Sequence, residues 1–288
     1  MTSGSGPDLK QGFAVRHILR CPQCAGNLDW SQDQGRCLIC SKTYPVVNNI
    51  YDMRVGEQNR PKLYSDSSYV KFASALEAIH ARYYSESSAS SGLEIRFRHS
   101  LATLITTPPD FIVDLGCGTG SGFHSLGDPS RIVGVDVDLR LLLECRKTYP
   151  NVALVCCDLN QSPFRDECVP AISSMASLEH VFWMEATLDA MERMLTTDGR
   201  AYVMAPTEGG LAWTLARRLF TVPTYSKICG LSSRQYIRAA RISHCNTVFA
   251  IDSALRKFFD VDTSHYWPFC IGGPQVNLVK CWRLRKLT

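Results

Sequence analysis

No run in the chain reaches the roughly 18 apolar residues that a membrane-spanning helix needs, so no span is expected. Met1 to Gly12 lacks the apolar core of an export signal; export is not expected, and residues 1–12 read as a disordered tail. Internal repeats and long low-complexity tracts are absent. Excess charge is small as well, with 31 basic residues against 27 acidic ones. The net charge is +4 over 288 residues, too little for the global basic field that announces a nucleic-acid binder. A disulfide framework is not in evidence either, because the thirteen cysteines are odd in number and nine of them are scattered. That usage fits a reducing, cytoplasmic setting. With 45% hydrophobic and 20% charged residues, the chain can bury a core without covalent staples.

What is present falls into zones. Residues 13–56 hold four cysteines among turn residues. Residues 57–109 read as a helical linker or lid: Tyr69, Phe72, Leu76, Ile79 and Tyr83 recur at spacings of three and four, as do Leu93, Phe97, Leu101 and Leu104. A serine-rich run, Ser85 to Ser91, interrupts them, and Pro108-Pro109 ends the second helix. In residues 110–288 short β-rich runs (Phe111 to Leu115, Arg131 to Val135, Val152 to Cys156, Val169 to Met175, Arg200 to Ala205) alternate with helical stretches, which predicts a parallel sheet covered on both faces. The last two runs, Val261 to Tyr266 and Val276 to Leu284, are joined by a loop too short for a helix and should form an antiparallel hairpin.

Cys21-Pro-Gln-Cys24 and Cys37-Leu-Ile-Cys40 are two CxxC pairs. Each sets two thiolates on one tight knuckle, and two knuckles complete a tetrahedral zinc shell with no position open for water, so a structural Zn2+ is expected. The stretch Leu19 to Met53 resembles the small zinc domain that precedes many class I methyltransferases. A related domain occurs as a free activator subunit of such enzymes.

Phe111-Ile-Val-Asp114-Leu-Gly116-Cys-Gly118-Thr-Gly120 runs an apolar strand into alternating glycines, which let a backbone approach a ligand at the carboxyl edge of a sheet. The dinucleotide pattern GxGxxG fails, since Ser121 stands where the third glycine belongs. Asp114 argues the same way, because a carboxylate repels a pyrophosphate and attracts an ammonium or sulfonium. The DxGxGxG spacing resembles motif I of class I S-adenosylmethionine-dependent methyltransferases, type 11-like, and Phe111 to Leu284 resembles that family throughout. The resemblance implies a Rossmann-like α/β fold of parallel strands with a C-terminal antiparallel hairpin, and S-adenosyl-L-methionine as cofactor. Asp136 and Asp158 end the second and third strands. In the resembled family such acids accept the ribose hydroxyls and the adenine amine, with the backbone of the next residue, here Leu159, at the ring. One departure is a short first helix, about ten residues lying between Gly120 and the second strand, or about two turns. Asp138 reads as the cap of the next helix.

The fourth strand leads into Ala176-Ser-Leu-Glu179-His180-Val181. Similar small-molecule enzymes often carry Glu-His here, which makes His180 the candidate base. Residues 207–250 form an expected helical lid over the acceptor. They hold six basic residues (Arg217, Arg218, Lys227, Arg234, Arg238, Arg241) against one acid, Glu208, a local +5 beside the +4 of the whole chain. Arg234, Tyr236 and Arg238 are the candidate contacts to an anionic small-molecule acceptor methylated at O or N. The same arginines also fit a solvated helical face. An RNA base methyltransferase with a zinc module is the alternative, disfavoured because basic charge is confined to the lid and the C-terminal Lys280, Arg283, Arg285 and Lys286. Those last four read as charges guarding an edge strand.

Overall fold

The structure, a computed structural model, describes residues 13–56, 62–75, 96 and 99–287. The tail at 1–12, the serine-rich run and most of the helical periodicity expected between 76 and 98 lie outside the described residues. Val- and Ile-rich runs form the centre of one sheet. These are β5 (Ile112–Leu115), β6 (Ile132–Asp136), β7 (Ala153–Cys156), β8 (Val169–Met175) and the longer β9 (Leu195–Pro206), which starts five residues before the expected Arg200. They lie parallel in the order β7-β6-β5-β8-β9. β5 and β7 are buried along their whole length, as strands covered on both faces must be. The covering helices Leu139–Thr148, Met184–Met194 and Val248–Phe258 bury Leu142, Leu188 and Leu255 against the sheet. Asp138 caps the first of them by accepting from the Arg140 N–H, as expected. Cover after the glycine loop is thin: one turn, Phe123–Leu126, and a 3-10 turn, Pro129–Arg131.

The cysteine-bearing segment extends this sheet. β1 (Leu28–Trp30), β2 (Gln34–Cys37), β3 (Thr43–Val47) and β4 (Ile50–Asp52) pair antiparallel in sequence, and β4 then lies parallel to β7 with Ile50 opposite Leu154 and Asp52 opposite Cys156. The result is eleven continuous strands. Val15, Leu19, Tyr44, Tyr51 and Met53 share one core with Val133, Val155 and Phe164. Polar ties cross the same seam: Arg146 donates to the Asn49 carbonyl at 2.8 Å, Arg165 to Asn27 at 2.8 Å, and Arg20 pairs with Asp166 at 2.8 Å.

At the other end the hairpin forms as expected, from β10 (Phe259–Trp267) and β11 (Val279–Lys286), although its connection includes a helical turn, Gly273–Val276. The edge-strand reading of the C-terminal charges is corrected. β11 lies between β9 and β10, so it is an interior strand. Lys280 is buried and bonded to Asp252 at 2.6 Å, and its ammonium lies over the Tyr266 and Trp282 rings. Trp282 Nε1 donates to the same Asp252 oxygen at 2.7 Å, and Arg256 pairs with the other at 3.0 Å.

This cluster sets a testable stability term. Burial alone would raise the Asp252 carboxyl, but hydrogen bonds from Arg256, Lys280 and Trp282 outweigh it and hold the group at about 2. A depressed folded value means stability present above the ordinary carboxylate range near 3.8 and lost as pH falls toward 2, worth about 1–2 kcal/mol for this partly exposed group. Asp252→Ala, which strands buried Lys280 and Trp282 Nε1, should cost about 3 kcal/mol in urea unfolding, and Lys280→Met less, since Asp252 keeps two donors. Equal losses would mean that Asp252 is not the hub.

Candidate active site

The glycine loop is fixed from two sides. The Gly116 and Cys117 N–H groups donate to the Val135 carbonyl of β6, and the Gly118 N–H donates to Asp136 Oδ2 at 2.9 Å. Asp136 Oδ1 accepts the Asp138 N–H at 2.9 Å, so one carboxylate joins the loop to the next helix. Burial pushes this carboxyl up against the pull of its two N–H donors. Gly116 has φ 76° and lies so close to Ser177 that a Cβ would strike Ser177 Oγ at 2.1 Å. Gly118, φ 54°, has nothing within 4 Å of where a Cβ would stand, which leaves its face open to a ligand. Gly120, the last of the three, turns the chain against Phe123 and Cys145.

The predicted acids come together at adjacent strand ends. Asp114, in β5, is buried and accepts from Ser173 Oγ of β8 at 2.6 Å. Asp158 follows β7 and caps the turn Leu159–Gln161, accepting the Asn160 N–H at 2.9 Å and Asn160 Nδ2 at 2.8 Å. The Cys157 N–H bonds the Asp136 carbonyl at 3.0 Å, locking the β6 and β7 ends together.

On the other side of β5, β8 ends in a strained turn: Ala176 takes φ 52°, uncommon for a residue with a Cβ. The next turn, Leu178–His180, presents His180. Its Nδ1 lies 3.0 Å from the Ser243 carbonyl and 3.1 Å from Ser243 Oγ; a proton on Nδ1 satisfies the carbonyl, and in that tautomer Nε2 is the basic nitrogen. Nε2 is 3.9 Å from Glu179 Oε1. Glu179 is buried, its Oε2 has no hydrogen-bond partner among the described residues, and burial pushes its carboxyl up to about 7. The His180 ring meets His244 edge-on at 4.6 Å, and His244 Nδ1 lies 3.4 Å from Glu208 Oε2. Glu208 is also held by Arg217 at 2.6 Å and Trp213 at 2.7 Å. Burial opposes its ionisation, but these partners hold its carboxyl below the usual range. Two titratable pairs thus stand side by side. Sequence reasoning missed Glu179, His244 and Glu208 as partners, because 64 positions separate His180 from His244; the adjacent Glu-His was the one local signal.

The lid folds as helices Leu211–Ala216, Val222–Ile228 and Ser233–Ser243, the first two joined by a π-helical turn, Arg217–Thr221. Ser243, at the end of the last helix, meets His180. Arg234 and Arg238 line an open groove of about 370 Å³ with Phe182, Ile237, Arg241 and Cys245. Arg238 also pairs with Asp66 at 2.8 Å. Tyr236 points the other way. Its ring is buried, edge-on to Phe72 at 5.6 Å, inside a small core that the lid shares with the helical segment 67–75, which does not suit a ligand contact.

The four cysteine sulfurs all lie within 4.8 Å of one another, with Cys21–Cys40 at 3.7 Å and Cys24–Cys37 at 3.4 Å. Four sulfurs about 2.3 Å from one zinc ion stand about 3.8 Å apart, so this set fits the metal. The knuckles match each other. The Ala25 N–H bonds the Cys21 carbonyl and the Ser41 N–H the Cys37 carbonyl, and both residues take positive φ. Tyr44 OH is 3.1 Å from Cys21 Sγ.

The strand order, the hairpin ending and the glycine loop define the fold of class I S-adenosylmethionine methyltransferases. Residues 113–203 match the family model described as a methyltransferase domain, and this segment is such a domain. A demethylmenaquinone methyltransferase of Beutenbergia cavernae is 29% identical over 107 residues, which span 37% of this chain and 45% of that protein. The N-methyltransferase NodS of Bradyrhizobium japonicum, solved with S-adenosyl-L-homocysteine, shares the fold at TM-score 0.51 and 15% identity, over 77% of this chain and 99% of that one. A protein of Pyrococcus horikoshii does so at TM-score 0.51 and 14% identity, over 72% and 96%.

The buried Glu179 carboxyl has a pH signature. A folded value near 7 against an unfolded value near 4.5 gives stability that is complete below 4.5 and lost as pH rises through 7. Glu179→Gln removes that loss. The variant should match the parent in thermal melts at about pH 4.5 and exceed it by on the order of 2 kcal/mol at about pH 8. Parallel stability curves across that range would show Glu179 ionised and paired throughout.

Proposed function

We propose that the whole chain is an S-adenosylmethionine-dependent methyltransferase that methylates O or N of a small acceptor bearing an anionic group. The observation that carries this reading is the glycine loop pinned on Asp136, open above Gly118, with acids at the ends of three adjacent strands. Asp114, Gly116, Gly118, Gly120, Asp136, Asp158 and Leu159 would hold the cofactor. When bound there, S-adenosylmethionine supplies an electrophilic methyl group. His180 Nε2 takes the proton that the acceptor releases, and Glu179 beside it stabilises the imidazolium. Arg234 and Arg238 hold the acceptor's anion, the exposed Arg238 exchanging its half-buried partner Asp66 for it. Tyr236 fixes the helix that carries them. Cys21, Cys24, Cys37 and Cys40 hold one structural Zn2+, and β4 transmits that rigidity to the β7 edge. The odd, mostly scattered cysteines support a reducing cytoplasm as its setting.

Calorimetry with S-adenosylhomocysteine tests the cofactor site. Micromolar binding is expected, with none for NAD, and Asp136→Ala should weaken it by about 1–3 kcal/mol. Unchanged affinity in that variant would place the ribose elsewhere. Elemental analysis should find one zinc per chain, lowered in Cys21→Ser or Cys40→Ser; metal-free protein from a fresh preparation would remove the zinc assignment. An acceptor screen by thermal shift with S-adenosylhomocysteine present identifies the substrate class. Copurifying RNA would point to the nucleic-acid alternative.

A further inference from the structure

The lid carries a second surface, separate from the groove of Arg234 and Arg238. Leu211, Leu215 and Leu219 recur every four residues along its first helical stretch and stand in solvent with Phe220; Leu211 is 71% and Phe220 70% exposed. That spacing sets the leucines in one stripe. The stripe continues beyond the helix. The connection between β10 and β11 abuts the helix start, where the Leu211 N–H donates to Gln275 Oε1 at 3.2 Å and a Cβ on Gly210 would strike the Pro274 carbonyl at 2.1 Å. This connection raises Phe269, Ile271 and Val276 into solvent, Ile271 being 79% exposed. From Pro268 to Leu278 it holds no charged residue. Single exposed apolar residues are ordinary, whereas a continuous set of this extent marks a contact surface.

Within the lid, the charge beside the stripe has one sign. Glu208 is the lone acid between 207 and 250, and it is taken up by Arg217 and Trp213. Arg218, exposed, stands between Leu215 and Leu219, and Lys227 is exposed further along the same helical stretch.

We propose that this face docks the protein on an anionic lipid bilayer, with Leu211, Leu215, Leu219, Phe220, Phe269 and Ile271 entering the headgroup region and Arg218 and Lys227 meeting lipid phosphates. Protruding apolar side chains, an uncharged loop tip and a cationic rim are the combination that interfacial binding uses. A nucleic acid would engage the cations and stack on aromatic rings but gain nothing from Ile271 or Leu215. A second copy would cover the apolar stripe, but two-fold pairing sets each patch on its own equivalent and brings Arg218 and Lys227 toward their like. The inference is independent of which acceptor is methylated.

The test is co-sedimentation of the full chain with phosphatidylcholine vesicles, with and without phosphatidylglycerol. Retention is expected on the anionic vesicles and should fall with salt. Phe269→Ser with Ile271→Ser should lower vesicle affinity by about tenfold or more, from lost apolar burial. Arg218→Ala and Lys227→Ala should each lower it about fivefold on anionic vesicles and leave neutral ones unaffected. All four positions are exposed, so melting temperature and S-adenosylhomocysteine affinity should not move. No retention at low salt would overturn the proposal, as would retention indifferent to the apolar variants. Light scattering that shows a dimer made monomeric by Phe269→Ser with Ile271→Ser would assign the face to self-association and overturn it too. Salt-sensitive binding to RNA without vesicle binding would make the cations a nucleic-acid surface instead.

Discussion

The Asp136 carboxylate is where the loop after β5, the end of β6 and the start of the helix Leu139–Thr148 are held together. It accepts the Gly118 and Asp138 N–H groups, while its own backbone carbonyl takes the Cys157 N–H at the end of β7. Three strand ends therefore share one set of bonds. Desolvation works against the charge, and the two backbone donors work for it. A carboxylate held this way can accept hydroxyl donors without reorganising, because its orientation is already set by the chain. The same bonds fix the positive-φ glycine whose open face would lie against a ligand.

Much of this was legible in the sequence because it is local. Asp114, Gly116, Gly118 and Gly120 lie within seven consecutive positions, and the acids at 136 and 158 each follow an apolar run that can only be a buried strand. The two CxxC pairs are equally local. Legibility stops where partners are distant. Lys280 reads as an edge charge until β11 is seen between β9 and β10, where Asp252 and two aromatic rings receive it. Nothing around Ile50 announces that a strand of three residues will pair with β7 a hundred positions later. Both depend on sheet order, and sheet order is decided by the packing of the whole chain.

The lid shows the same limit for charge. Its surplus of +5 is a single number in the sequence, yet the structure gives its members different work. Arg217 neutralises Glu208 beside the histidines, Arg238 ties the helix Ser233–Ser243 to Asp66 at the start of the helical segment 67–75, and Arg218 and Lys227 face solvent. Tyr236, which composition offers as a ligand contact, fills the core that lets those arginines be displayed. Exposure and partners, unlike residue type, separate a binding cation from a structural one.

The two sides of β5 differ in how they treat protons. Toward β6 and β7, acids are satisfied by backbone donors of the loop and the turns, groups that do not titrate. Toward β8 and the lid, the groups face one another: a buried carboxyl pushed up to about 7, an imidazole bonded through Nδ1 to Ser243, and a second imidazole against a carboxylate. A site built on fixed donors binds the same ligand across pH, whereas one built on coupled titratable groups can change protonation during a turnover. The strained Ala176 turn joins the two halves, since Ser177 packs on Gly116 while Glu179 and His180 follow within four residues. The histidine turn and the glycine loop are therefore packed neighbours, with no room between Ser177 and Gly116 for even one added carbon.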